Sequence, residues 1–231
     1  MLDFGEDLFE KENVLAVIKD LSVPCYDCRL GHCQKAKQNR GLVWRGNPTS
    51  RIAAVSIMPG PTEMETGKPL TGKSGKLFDK WFKYINLDTN SDCLVINVVQ
   101  CKPPDVEKKD GEVSQREPEL DELAVCFPNR CLRILRAMPN LEVVVTMGWS
   151  AAKCLLGGDP KDTSHMGHWY ATTVLPGKAI YCLPHPAALL REPDNLDKKY
   201  KLIKCLDRFK RQYLDVDKVV ELAAEVYQNH S

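Results

Sequence analysis

The chemistry available to this chain begins with two thiols, one buried amide and one bracketed imidazole. Cys25-Tyr26-Asp27-Cys28 sets two cysteines three positions apart, a spacing with which a tight turn grips a metal or a cluster iron. Read alone, the pair also suits redox chemistry, and His32 with Cys33 could complete a local zinc knuckle. Leu94-Val95-Ile96-Asn97-Val98-Val99-Gln100-Cys101-Lys102-Pro103-Pro104 is a β-branched apolar run stopped by prolines, the pattern of a fully buried strand. Asn97 inside it is costly unless bonded, so it either ties a loop or faces a ligand. Cys101, at the end of the run, could close a metal site with cysteines elsewhere. His185 stands between Pro184 and Pro186 at the end of another apolar run, where open α/β sheets place ligands. The plainer alternative is a histidine that caps a turn.

The elements that must position these groups are legible in outline. Arg51–Ile57, Leu94–Val99, Glu142–Met147 and Lys178–Leu183 read as four buried strands. Helices are expected over 6–20, 76–85, from Pro118 through Leu135, 150–156, 195–214 and 216–227. Ser150 offers the fourth of these an N-terminal hydroxyl, and Gly157-Gly158 a stop. Ala171–Leu175 is expected to pair with Lys178–Leu183 across Pro176-Gly177. Strands alternating with helices make an α/β fold, a three-layer αβα sandwich with a four-stranded, mainly parallel central sheet. Residues 58–75, 97–104 and 184–191 then fall at the strands' C-terminal ends, where they can share a pocket. The first of these carries Gly67, Gly72 and Gly75 with Lys68 and Lys73 before a helix, an anion site by type or a plain βα turn. Phe78, Trp81 and Phe82 read as core. Asp105–Glu117 is charged and unpatterned, a surface loop or insertion. His165 and His168 read as loop or DNA-facing residues rather than a metal pair.

Composition narrows the class. The 231 residues are 43% hydrophobic and 27% charged, with a formal net charge of +1, so no global field selects nucleic acid, although a local basic groove is compatible with this. The acidic start MLDFGEDLFEKEN lacks a signal peptide's basic and apolar regions, and no run is long enough to span a membrane. The expected location is therefore intracellular, cytoplasm or nucleoid. Ten cysteines in such a chain favour metal binding or catalysis over disulfides. Cys93, Cys154, Cys182 and Cys205 lie in apolar patterns and read as small hydrophobes.

Taken together, these segments resemble the uracil-DNA glycosylase superfamily, most closely its iron–sulfur, family-4-like branch. The resemblance runs over roughly residues 25 to 210. It is carried by Cys25-Tyr26-Asp27-Cys28, Met58-Pro59-Gly60, Gly67-Lys68-Pro69-Leu70-Thr71-Gly72-Lys73-Ser74-Gly75, Asn97 through Pro104, Cys126, Met147-Gly148-Trp149-Ser150-Ala151-Ala152-Lys153, and His185-Pro186 with Leu189-Leu190-Arg191. It implies a glycosylase-like domain over 1–214, with 25–33 and 101–131 forming a cluster region, and a helical extension over 215–231. It implies a [4Fe-4S] cluster on Cys25, Cys28, Cys101 and Cys126, which braces loops beside DNA. Insertion of 105–117 lengthens the gap before Cys126 and leaves Cys131 as its competitor. Asn97 and His185 are implied as the catalytic pair, the amide reading the base edge and the imidazole donating to the departing base. Met58, Pro59, Gly60 and Leu70 would line the base pocket, and Gly72, Lys73, Ser74, Pro186 and Arg191 would meet DNA. The implied partner is DNA containing uracil or another deaminated base, and the implied state a monomer whose last helix could serve a protein partner.

The chain departs from the family at two positions. Ser56-Ile57-Met58-Pro59-Gly60 stands where Gly-Glu-Ala-Pro-Gly is usual, so an acid that helps place water is replaced by Ile57. Leu70 replaces an aromatic that stacks on uracil, and such stacking is worth about 1–3 kcal/mol per base. Glu63 and Glu65 are nearby acids, read by default as solvated loop residues. The implied function is a monofunctional uracil-DNA glycosylase acting in base-excision repair. A weakly active or inactive DNA- or uracil-binding member is the alternative, and a zinc or thiol-redox protein a remote one.

Overall fold

The computed structural model describes residues 13–32, 41–107, 111, 113–157 and 166–213. Cys33, His165 and the extension 215–231 lie outside the described residues, as does the first part of the expected helix 6–20. In chain order the elements open with α1 (Val14–Leu21), β1 (Trp44–Gly46), β2 (Ile52–Ser56), α2 (Pro61–Thr66), α3 (Lys73–Tyr84) and β3 (Cys93–Asn97). A hairpin of β4 (Asp105–Glu107) and β5 (Val113–Gln115) precedes α4 (Leu120–Cys126), a π-helical turn (Phe127–Leu132) and α5 (Arg133–Ala137). Then come β6 (Val143–Met147), α6 (Trp149–Leu156), β7 (Trp169–Tyr170), β8 (Ala179–Leu183), α7 (Pro186–Arg191) and α8 (Leu196–Tyr213). Among the described residues no helix is long and apolar enough to cross a membrane.

The central sheet has six strands in the order β1-β3-β2-β6-β8-β7, not four. The four strands expected from the sequence are its parallel centre: β2 pairs with β3 and β6, and β6 with β8. Each is buried along its whole length, which is why it reads as a continuous apolar run. The two additional strands are antiparallel edges, β1 on β3 and β7 on β8. They are three and two residues long, too short to carry a period. The partner of β8 is therefore Trp169–Tyr170 rather than 171–175; Trp169 stands opposite Tyr181 and Tyr170 opposite Ile180.

Alternation along the central strands feeds two cores. Ala53, Val55, Leu94, Ile96, Val144, Ile180 and Cys182 face one side, packed against α1, the α4–α5 stretch and α6. Ile52, Ala54, Val95, Val143, Val145, Tyr181 and Leu183 face the other, against Phe78, Trp81 and Phe82 of α3 and Leu202, Leu206 and Phe209 of α8. Helices thus cover both faces, and the three aromatics of α3 are core, as their spacing suggests.

Three local readings are corrected. Residues 105–117 are not wholly irregular: β4 and β5 pair antiparallel, with Val106 opposite Ser114, in strands too exposed to show an apolar face. The long helix from Pro118 is interrupted by the π-turn, where Pro128 lacks an N–H and the ladder widens. Finally, α6 is not capped by a hydroxyl. Gly148 is its N-cap at φ 84°, and Ser150 Oγ donates instead to Glu117 Oε2 at 2.7 Å.

Candidate active site and thiol cleft

Parallel strands end on one edge of the sheet, and the side chains of interest gather there. Ser56 and Asn97 are the last residues of β2 and β3 and stand opposite each other in register. Gly148 follows β6, and His185 lies two residues beyond β8. A Cβ on Gly148 would come within 3.0 Å of His185 Cβ, and Gly148 sits at a left-handed φ of 84°. The glycine therefore lets the histidine lie across the end of β6. From there His185 Nε2 reaches to 3.4 Å of Ser56 Oγ on β2.

Two observations bear on the chemistry of this edge. The first is the state of His185. Its Nδ1 accepts the N–H of Ala187 at 3.1 Å, so it is the N-cap of α7. With Nδ1 so engaged, the neutral ring carries its proton on Nε2, the nitrogen directed at the site. Burial, with the Arg191 charge adding to it, pushes the imidazole below its ordinary value near 6.5, against the pull of Glu117 and Glu63. The ring is thus a neutral donor at neutral pH. A depressed value stabilises the fold above the ordinary value and is lost as pH falls through the folded one. The thermal midpoint should therefore drop as pH falls below about 6.5, and that drop should shrink in His185→Asn, which keeps a capping acceptor but does not titrate.

The second is Asn97, 1% exposed. Its Nδ2 is buried and has no hydrogen-bond partner among the described residues. The backbone around it is not idle. Gln100 Nε2 donates to the Asn97 carbonyl at 2.6 Å, and Gln100 Oε1 accepts the Val43 N–H at 3.0 Å. Gln100 thus takes the loop-tying role that the sequence left open for Asn97 and leaves the Asn97 amide free for a ligand.

The loop after β2 is clamped from both sides. Leu70 adopts a left-handed φ of 51°, unusual for a side chain of this kind. Arg45, buried in β1, donates to the carbonyls of Pro69 at 2.9 Å and Leu70 at 3.4 Å. On the other side Glu63 Oε1 accepts the N–H groups of Thr71 at 3.0 Å and Gly72 at 2.9 Å. Glu63 is therefore a buried tie, not a solvated acid, whereas Glu65 is exposed. A Cβ at Gly75 would lie 1.7 Å from the Leu70 carbonyl oxygen, so only glycine admits this close approach. The Leu70 side chain is itself buried in the core cluster with Phe78 and Met147, and Ile57 is buried in the opposite one.

The remaining expected residues occupy the same edge. Met58 and Gly60 are half-buried and Pro59 buried, leading into α2, while Gly72 caps α3. Lys73 is exposed and Ser74 half-buried in the first turn of α3; Pro186 is buried and Arg191 exposed on α7, which packs against α3. His168 is exposed and lies 3.4 Å from Arg208 through Nδ1, away from this grouping.

Cys25, Cys28, Cys101 and Cys126 line a single cleft of about 330 Å³, solvent at its mouth included, together with Arg130 and Gln100. Gly31 forms the tight return of the first pair: its Cβ would meet the Cys25 carbonyl oxygen at 2.1 Å. Arg29 ties that turn to α4 through Glu122 at 2.9 Å and Asp121 at 3.0 Å. Cys131 lies five positions along from Cys126, within the π-turn, and is fully buried in the core rather than in the cleft wall. No group of three or more His, Cys, Asp or Glu side chains among the described residues is set to hold a single metal ion. Four thiols about one cleft with an adjacent guanidinium suit a larger, anionic thiolate-bound body, and the donor set fits an iron–sulfur cluster. Burial pushes the Cys126 thiol up to about 12, so a cationic centre is needed to make it a thiolate.

A family model described as the uracil-DNA glycosylase superfamily matches residues 43–210, a span that includes the whole sheet. The chain belongs to the uracil-DNA glycosylase superfamily. Three curated glycosylases are similar to it along most of their length. A type-4 uracil-DNA glycosylase of Sulfurisphaera tokodaii is 28% identical over 192 residues, 78% of this chain and 77% of the relative. One of Saccharolobus solfataricus is 27% identical over 184 residues, 78% of each chain. One of Thermotoga maritima is 26% identical over 188 residues, 81% of this chain and 89% of the relative. For a superfamily glycosylase the grouping at the sheet edge has several members that residue type alone did not mark. Ser56 and Gly148 lie against His185, Gln100 ties the Asn97 carbonyl, and Arg45 and Glu63 hold the loop beside them. Of these, Gly148 stood in the run Met147–Lys153 that carries the resemblance and Glu63 among the loop acids, whereas nothing in the sequence marked the roles of Ser56, Gln100 and Arg45.

Proposed function

We propose that this chain is a monofunctional glycosylase that hydrolyses the N-glycosidic bond of uracil, or a related deaminated base, in DNA. It leaves an abasic site, as the opening step of base-excision repair. The observation that carries the reading is the buried Asn97 amide, whose Nδ2 lacks a partner among the described residues, at the edge where His185 reaches Ser56. An orphaned buried donor is expensive, about 1–3 kcal/mol, and is retained where a ligand completes it.

A base stacked in DNA has to be extruded into the pocket. The Asn97 amide then donates to a carbonyl oxygen and accepts from the ring N–H of the base, a pairing that cytosine's edge does not offer. As the glycosidic bond lengthens, charge moves onto the base, and the Nε2–H of His185 donates to its oxygen as that charge develops. Ser56 steadies the ring, and Met58, Pro59 and Gly60 form the pocket wall. Lys73 and Arg191, with the backbone at Gly72, Ser74 and Pro186, meet the phosphates and hold the strand in register.

Cys25, Cys28, Cys101 and Cys126 would hold a [4Fe-4S] cluster, which when bound would supply a rigid crosslink between the first turn and the loop after β3. Alanine at Cys25, Cys28 or Cys101 should lower iron content and the thermal midpoint together, whereas Cys131→Ala should keep its iron. Iron and sulfide analysis with thermal melting checks this, and a colourless protein holding zinc would refute it.

Leu70 favours a second reading, a binding member with weak turnover, because its buried side chain offers no aromatic face to a base. Incubation with uracil-containing single- and double-stranded DNA separates the two. Free base and alkali-labile sites are expected; binding without release selects the second reading.

A further inference from the structure

Hydrolysis through a cationic sugar calls for a negative group on the sugar side, and the loop ends that meet at His185 supply none. Ile57 is apolar, and Ser56, Asn97 and Gly148 carry no charge. Two carboxylates reach the imidazole electrostatically, Glu117 and Glu63. Glu63 is committed to the fold: Oε1 holds two backbone N–H groups, and Oε2 packs within 2.6 Å of where a Gly60 Cβ would stand.

Glu117 is differently placed. It ends the segment that returns from the β4–β5 hairpin, and that segment is pinned to both elements flanking the imidazole. Gln115 Nε2 donates to the Pro59 carbonyl at 3.1 Å, three residues past Ser56. Glu117 Oε2 accepts from Ser150 Oγ at 2.7 Å, two residues past Gly148. The segment thus bridges the β2 loop and the start of α6, the two elements beside the imidazole. Glu117 is exposed, and its other oxygen has no partner among the described residues.

We propose that Glu117 is the catalytic carboxylate of this chain, facing the sugar of the extruded nucleotide and holding the attacking water. This rests on the glycosylase reading above. The electron pair of the bond between sugar C1′ and the base nitrogen leaves with the base. The water oxygen forms its bond to C1′, and one water proton passes to Glu117 and from there to solvent. The base anion, held by the His185 donor, takes up a solvent proton, so water is divided between sugar and base.

The test pairs single-turnover base release with binding of two strands, one bearing a cationic azasugar and one a neutral tetrahydrofuran residue at the target position. Glu117→Gln should slow release about a hundredfold at unchanged affinity for uracil DNA, and should abolish preference for the cationic strand. Ser150→Ala, which frees the carboxylate from its tether, should fall between that variant and the unaltered chain. Release by Glu117→Gln at the unaltered rate, or survival of its azasugar preference, would overturn the assignment while leaving the glycosylase reading intact. If the unaltered chain releases no base, that reading fails instead, and the azasugar comparison alone decides the placement of Glu117.

Discussion

Replacing Asn97 by alanine is expected to slow base release on the order of a thousandfold while moving the thermal midpoint only slightly. The two effects separate for a physical reason. A donor aimed at charge or hydrogen-bonding groups that change during reaction is worth about a hundred- to a thousandfold in rate. The same side chain contributes little to the folded state, because its Nδ2 is buried without a partner among the described residues. Removing an unsatisfied buried donor relieves about 1–3 kcal/mol, against which stands the small cavity left behind. The turn after β3 is held by Gln100 through the Asn97 carbonyl, which alanine retains. Single-turnover kinetics and a melting curve on the same preparation check this. A large fall in the midpoint would instead make Asn97 a structural residue whose partner lies elsewhere.

Changing His185 should cost a hundredfold or more, and two replacements separate its two tasks. His185→Ala removes both the cap of α7 and the donor at Nε2. It should lose about 0.5–2 kcal/mol of stability along with turnover. His185→Asn can still accept the Ala187 N–H from the cap position but cannot extend a donor to the pocket beside Ser56. It should melt near the unaltered chain and turn over as poorly as alanine. Equal activity for His185→Asn and the unaltered chain would reduce the residue to a cap.

The bracket of two prolines around His185 pointed to function or to a cap, and the structure shows Nδ1 engaged in the cap while Nε2 is directed at Ser56. Sequence alone could not divide the ring in this way, since the cap partner is a backbone N–H whose direction depends on α7. The four central strands were legible because each is buried on both faces and therefore written as an unbroken apolar run. The edge strands at Trp44 and Trp169 were not, because two or three residues hold no alternation. Glu63 was misread for a similar reason. Its burial depends on backbone N–H groups eight and nine residues further on, a relation that no local pattern records. Ser150 looked like a cap from its position, but Glu117, 33 residues earlier, claims its hydroxyl.

The thiols show the opposite case. Cys25 and Cys28 carried a local signal, whereas Cys126 followed only from resemblance, with Cys131 in competition. A helix turns roughly 100° per residue, so cysteines five apart point to different sides even before the π-turn intervenes. The structure places the first of them on the cleft and the second in the core.

A crystal structure of the His185→Ala chain bound to a strand containing uracil would probe the reading at its centre. The account predicts the uracil turned out of the stack, its edge paired with the Asn97 amide and its oxygen beside the space the imidazole filled. A uracil seated in another cavity, or an Asn97 amide still unpaired with the base in place, would contradict it.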